Sequence, residues 1–165
     1  MTETLVSFLI ELFKGVNKNI LVFIVSMFPL IESRGGLIAA ALLEVPLTKA
    51  FILCFLGNIL PIPFILLLIE KVFELLKKWN PTKKIINKLE KKTLSKSDQI
   101  HKYGYWGLLL FVGIPIPGTG AWTGALLAVL LHLNRKKSFV ALTLGVVLAG
   151  IIMSIFSYGI LGNIF

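Results

Sequence analysis

The chain has 165 residues, 56% of them hydrophobic, and a net charge of +9; its mean hydropathy is +0.89. That composition excludes an ordinary soluble domain, which is far more polar, and points to a single membrane domain over residues 1–165. The lone Cys54 excludes an intrachain disulfide and reads as a small hydrophobe, and His101 and His132 show no metal-ligand spacing.

Residues 4–13 are apolar but short, which predicts an interfacial helix ending near Lys14-Gly15. Glu3, Glu11 and the lack of a small-residue cleavage site argue against a cleavable signal peptide. Residues 20–43 form the first membrane segment, broken in the middle by Glu32-Ser33-Arg34-Gly35-Gly36. A charge at that depth costs about 2.5–3.5 kcal/mol, so it persists where it faces protein, water or a substrate. Residues 44–49 are a turn. Residues 50–69 are long enough to span, and Gly57, Asn58, Pro61 and Pro63 predict a kink.

Residues 71–102 are a basic linker. Ten lysines stand there against Glu74, Glu90 and Asp98. Val72, Phe73, Leu75, Leu76 and Trp79 have helical spacing, as do Ile85, Ile86 and Leu89, with Asn80-Pro81 between the two sets. This predicts two amphipathic helices on the cytoplasmic surface, facing anionic phospholipid. Nothing accompanies the lysines that would read nucleic acid. Residues 103–131 form a second long apolar stretch, broken at Gly113-Ile114-Pro115-Ile116-Pro117-Gly118-Thr119-Gly120. Arg135-Lys136-Lys137 is a basic turn, and residues 138–162 are the last spanning candidate.

The halves 1–70 and 103–165 echo each other. Residues 35–42 align loosely with residues 120–127, and Ala50-Phe51 and Gly57 match Ser138-Phe139 and Gly145 after a longer turn. We read an all-α integral membrane protein of two inverted repeats, each a re-entrant helical hairpin plus a transmembrane helix. Four full crossings are the competing topology. Re-entry puts Arg135-Lys136-Lys137 on the side of the basic linker, at the expense of Lys14 and Lys18 opposite, which tips the balance slightly.

The stretches Gly57-Asn58-Ile59-Leu60-Pro61-Ile62-Pro63-Phe64 and Ile114-Pro115-Ile116-Pro117-Gly118-Thr119-Gly120-Ala121-Trp122-Thr123-Gly124-Ala125 resemble the small multidrug export protein family. That family resembles a compact branch of the DedA, or VTT-domain, membrane superfamily. The resemblance covers nearly the whole chain, and the family's Glu-x-Arg-Gly motif matches Glu32-Ser33-Arg34-Gly35. Where family members usually carry a proline soon after this motif, this chain has Ile38. Resemblance to DedA proteins implies facing re-entrant hairpins and transport of lipid carriers such as undecaprenyl phosphate, coupled to a cation gradient.

Glu32 and Arg34 have two readings. Either they form a structural ion pair at a buried hairpin tip, or Arg34 with Gly35 binds an anion while Glu32 carries a proton or ion. Thr119 suits the N-cap of a helix through Leu131, whose free amides, with Gly118 and Gly120, would admit a phosphate. Trp122 packs there or stacks on the ligand. Asn58 makes a helix–helix hydrogen bond or lines the pathway. No nucleophile–base pair or acidic cluster supports an enzyme, a cofactor or a metal. The reading is therefore a multi-pass transporter or flippase in the cell membrane. It takes an anionic amphiphile of polyprenyl-phosphate type, coupled to a proton or cation gradient. The alternative is a proton-coupled exporter of small cationic drugs. The chain is short for an enclosed pathway, which favours a homodimer.

Overall fold

The computed structural model describes Gly15, residues 17–78 and residues 80–159. The interfacial helix expected at residues 4–13 lies outside them, as does Trp79. The described residues are helical, without a strand: α1 Lys18–Met27, α2 Glu32–Leu42, α3 Leu47–Ile59, α4 Ile62–Lys77, α5 Asn80–Leu94, α6 Asp98–Gly113, α7 Ala121–Leu130 and α8 Arg135–Gly159. Two helices are long and apolar enough to cross a membrane, α8 and the run Leu47–Lys77 made by α3 and α4 together. Pro61 and Pro63 fall at the start of α4, where a missing backbone N–H costs least.

The first apolar segment breaks earlier than its charges suggest. α1 starts on Asn17, whose side chain accepts the Asn19 N–H at 2.9 Å. It ends at Phe28, held extended by the proline that follows. Glu32 begins α2, and Gly35 and Gly36 lie inside that helix rather than in a break. Their small size serves packing: a Cβ on Gly36 would strike the Ser26 hydroxyl and crowd Cys54.

α1 and α2 form a hairpin whose open end is tied by Lys18, which donates to Leu43 O at 3.3 Å. The second half repeats this with α6 and α7, whose open end is tied by the Asn134 N–H donating to the Tyr105 hydroxyl at 3.1 Å. α2 and α7 also end alike. The Val45 N–H reaches Ala40 O and the Leu133 N–H reaches Ala128 O, each at 2.9 Å. Glu44 and His132 supply the left-handed residue that such a helix end requires, at φ 54° and 52°.

These contacts correct the register of the halves. Gly36 packs toward Cys54 and Gly57 against Phe23 O and Ser26; Gly124 packs toward Leu142 and Gly145 against Leu109 O and Val112. Gly36 and Gly124, Cys54 and Leu142, Gly57 and Gly145, and Glu44 and His132 are each 88 residues apart. The turn after α7 is therefore no longer than the turn after α2. The additional length of the second half lies in the tip between α6 and α7.

α3 and α8 run antiparallel: Gly150 packs on Phe51, and the Tyr158 hydroxyl donates to Val45 O at 2.6 Å. The larger core joins α4, α6, α7 and α8 around Ile62, Leu108, Leu127 and Leu142; a smaller one joins α1, α2 and α3 around Val22, Leu37 and Cys54. The linker differs from two free surface helices. Its first apolar pattern is the end of α4. Its second is α5, which packs on α4 and α7, buries Ile86 and pairs Glu90 with Lys77 at 2.7 Å. Gly104, at φ 58°, kinks α6 and separates its first turns from the arm that leads to the tip.

Candidate functional site

The two hairpin tips meet, and each charged residue of the first binds backbone of the second. The Phe28–Ile31 turn hands the chain to Glu32 at φ 54°, with the Glu32 N–H donating to Phe28 O at 2.9 Å. A left-handed glutamate is costly and needs support from its surroundings. The support is at the carboxylate of this residue, which is 5% exposed as a whole. One oxygen accepts the Ala121 N–H at 3.0 Å and the other accepts the Trp122 N–H at 3.1 Å. These amides open α7, so a full negative charge sits on the positive end of that helix. Gly120 precedes them at φ 150°, and a Cβ there would strike the carboxylate.

Arg34 does the converse. Its Nη1 donates to Ile116 O at 2.8 Å, and its Nη2 donates to Val112 O at 3.0 Å and Ile114 O at 3.3 Å. These carbonyls end α6 and begin the tip, so a cation sits on the negative end of that helix. Trp122, 88 residues after Arg34, returns the contact: its indole Nε1 donates to Met27 O, in the last turn of α1, at 3.1 Å. Residues at matching places in the two halves thus each cap the end of the other hairpin's first arm.

This geometry revises the roles expected from sequence. Glu32 and Arg34 do not pair with each other within the 4.0 Å of a salt bridge; neither belongs to the ion pairs found among the described residues. The first two amides of α7, expected to hold a phosphate, hold the Glu32 carboxylate. Thr119 is not the N-cap of α7, a place taken by Gly120; its hydroxyl turns back to Ile116 O at 2.8 Å and lies 3.3 Å from Arg34 Nη2. Gly35 offers an anion no free amide, because its N–H is bonded to Ile31 O at 2.9 Å. Gly118 contributes its carbonyl, which accepts a hydrogen bond from Lys96 Nζ. Nothing in the sequence separates Lys96 from the nine other lysines of the linker; only the fold brings it to the tip.

Asn58 is 1% exposed and donates through Nδ2 to the Ser33 hydroxyl at 3.0 Å, while its Oδ1 has no protein partner. The second half has no such polarity. The counterparts of Ser33, Cys54 and Asn58 are Ala121, Leu142 and Val146, and Val112 stands where Ser26 does. All four are buried apolar residues. The same packing is therefore achieved without polar groups, which sets the polar set of the first half apart from the needs of the fold. Among the described residues no group of three His, Cys, Asp or Glu could hold a metal ion.

The family described as "Putative small multi-drug export protein" matches residues 32–152, a stretch that takes in Glu32, Arg34 and the whole second tip, and the chain belongs to that family. No curated protein and no solved structure matches the chain.

Proposed function

We propose, from that membership and from the interlocked tips, that the chain is a proton-coupled exporter of small lipophilic cations. The carrying observation is the loop of residues 112–118. It turns the carbonyls of Val112, Ile114, Ile116 and Gly118 onto two cationic side chains, Arg34 and Lys96. A surface of carbonyls with a carboxylate nearby suits a cation. An anionic lipid carrier would have to take Arg34 from these carbonyls and displace Glu32 from the α7 amides, which weighs against a polyprenyl-phosphate flippase.

Glu32 is the proposed proton carrier. As a carboxylate it accepts two charge-assisted bonds, each worth about 1.5–3 kcal/mol. Protonation removes the charge from the α7 terminus and weakens both bonds at once. The tips then part, and the path between the halves changes the face to which it opens. Asn58 lines that path, and Trp122 packs at its rim. Proton and cationic substrate compete for the Glu32 carboxylate, which couples proton entry to cation exit.

The proposed architecture is a pair of inverted repeats with re-entrant hairpins. Its support is the antiparallel course of α3 and α8, which puts the open ends of the two hairpins at opposite ends of the molecule. Kinship with the DedA superfamily belongs to the same proposal. So do a multi-pass place in the cell membrane, a cytoplasmic linker on anionic phospholipid and a homodimer that encloses the path.

Proteoliposomes with an imposed pH gradient test the function. Wild type should move ethidium against its gradient, and Glu32→Gln should not, because a Gln amide sets an N–H against one of the α7 amides. Wild type that leaves ethidium in place and flips a polyprenyl phosphate would overturn the cation reading.

A further inference from the structure

A cavity of about 430 Å³ lies beside the second tip. Its walls include Leu110, Phe111, Ile114 and Pro117, with Lys96, Asp98 and Thr119 as the polar members. Phe111 is buried and Asp98 is exposed, so the cavity is bordered by an apolar floor and by a carboxylate. Lys96 is part of that wall, and its ammonium donates to the carbonyl of Gly118, which lies between the wall residues Pro117 and Thr119. The cavity adjoins the latch directly, since Thr119 lies on its wall and beside Arg34 Nη2.

We propose that this cavity binds protonated primary amines with an apolar body, and that Lys96 is a tethered occupant which the ligand displaces. The inference rests on the exporter reading and names the class of cation that this one cavity prefers, beside the lipophilic cations that the exporter moves. A lysine side chain is itself an alkyl stem ending in an ammonium group, so its seat shows the kind of ligand that fits. The Gly118 carbonyl accepts an N–H, the apolar wall takes the body of the ligand, and Asp98 supplies the counter-charge. A trimethylammonium head has no N–H and cannot replace Lys96 at the carbonyl. Displacing Lys96 also frees Gly118, which sits at φ 81° two residues before the glycine that admits Glu32. Ligand entry and the latch therefore share one loop.

The test is fluorescence titration of the purified full-length protein with dansylcadaverine, a primary alkylammonium, and with its trimethylated analogue. Wild type should prefer the primary amine. Lys96→Met keeps the stem and removes the competing ammonium, and should tighten binding about tenfold; Asp98→Asn should weaken it about as much. Equal binding of the two probes overturns the site, and needs no variant to fold. Unchanged or weaker binding by a well-folded Lys96→Met overturns the tethered occupant, as does an inorganic-phosphate site lost with Lys96. A wild type that binds the amine as described but never moves it keeps the site and removes the exporter reading. A wild type that exports ethidium yet ignores the difference between the probes does the reverse.

Discussion

Glu32 carries its own test in the glycine beside it. The carboxylate can reach the Ala121 and Trp122 amides because Gly120 has no side chain. Gly120→Ala should push the carboxylate off both amides and strain a positive φ. A loss of about 2–4 kcal/mol is expected, seen as a lower thermal midpoint in detergent, together with loss of transport. An unchanged midpoint would mean that the carboxylate does not hold the tips together. Arg34→Lys addresses the other half of the latch. Arginine forks across Val112, Ile114 and Ile116 carbonyls, while lysine offers a compact point charge. Transport by Arg34→Lys should fall well below wild type but stay above Arg34→Ala, measured as initial ethidium flux. Equal flux in wild type and Arg34→Ala would remove Arg34 from the mechanism. The pair itself was legible in sequence, because charges within an apolar segment stand out. Their partners were not: Glu32 and Arg34 bind residues some 80 to 90 positions away, and backbone amides and carbonyls leave no mark in a sequence.

The helical elements were partly legible for the same kind of reason. Periodicity and prolines located α1, α3, α7 and α8, but the break before α2 falls at residues 28–31 and not at Glu32-Ser33-Arg34-Gly35-Gly36. Those glycines are packing contacts, and glycine alone does not tell a turn from a close approach. A likeness between the halves was visible, yet the similar strings at residues 35 and 120 are not the ones that make matching contacts. The contacts of Gly36 and Gly124 correct that alignment, and the corrected register supplies an experiment. Ser33→Ala with Asn58→Val gives the first half the residues of the second. Replacing both partners of a buried hydrogen bond with apolar groups is close to neutral, so the double variant should stay within about 1 kcal/mol of wild type. Its transport should nevertheless fall. Wild-type flux in a stable double variant would reduce the polar set beside Glu32 to an incidental feature.

At the scale of the whole molecule, the halves hold each other crosswise. Glu32 and Arg34 cap the second hairpin, Trp122 caps the first, and α3 and α8 pass in opposite directions between them. The basic residues follow this order: Arg135 bridges to Glu70 in the middle of α4 at 3.7 Å, just before the lysine-rich linker, while Lys18 lies at the other end with Glu44. Composition revealed the membrane and the linker's charge, but not that the linker returns to the second tip through Lys96. The central claim is that two hairpins enter from opposite faces and meet inside the membrane. The measurement that bears on it most directly is labelling of single cysteines by an impermeant maleimide in oriented vesicles, in a Cys54→Ala background. Asn19→Cys and Glu44→Cys should label from one face, and Lys102→Cys and Lys136→Cys from the other. If Asn19→Cys and Glu44→Cys label from opposite faces, and Lys102→Cys and Lys136→Cys likewise, the hairpins are full crossings and the account of their meeting is wrong.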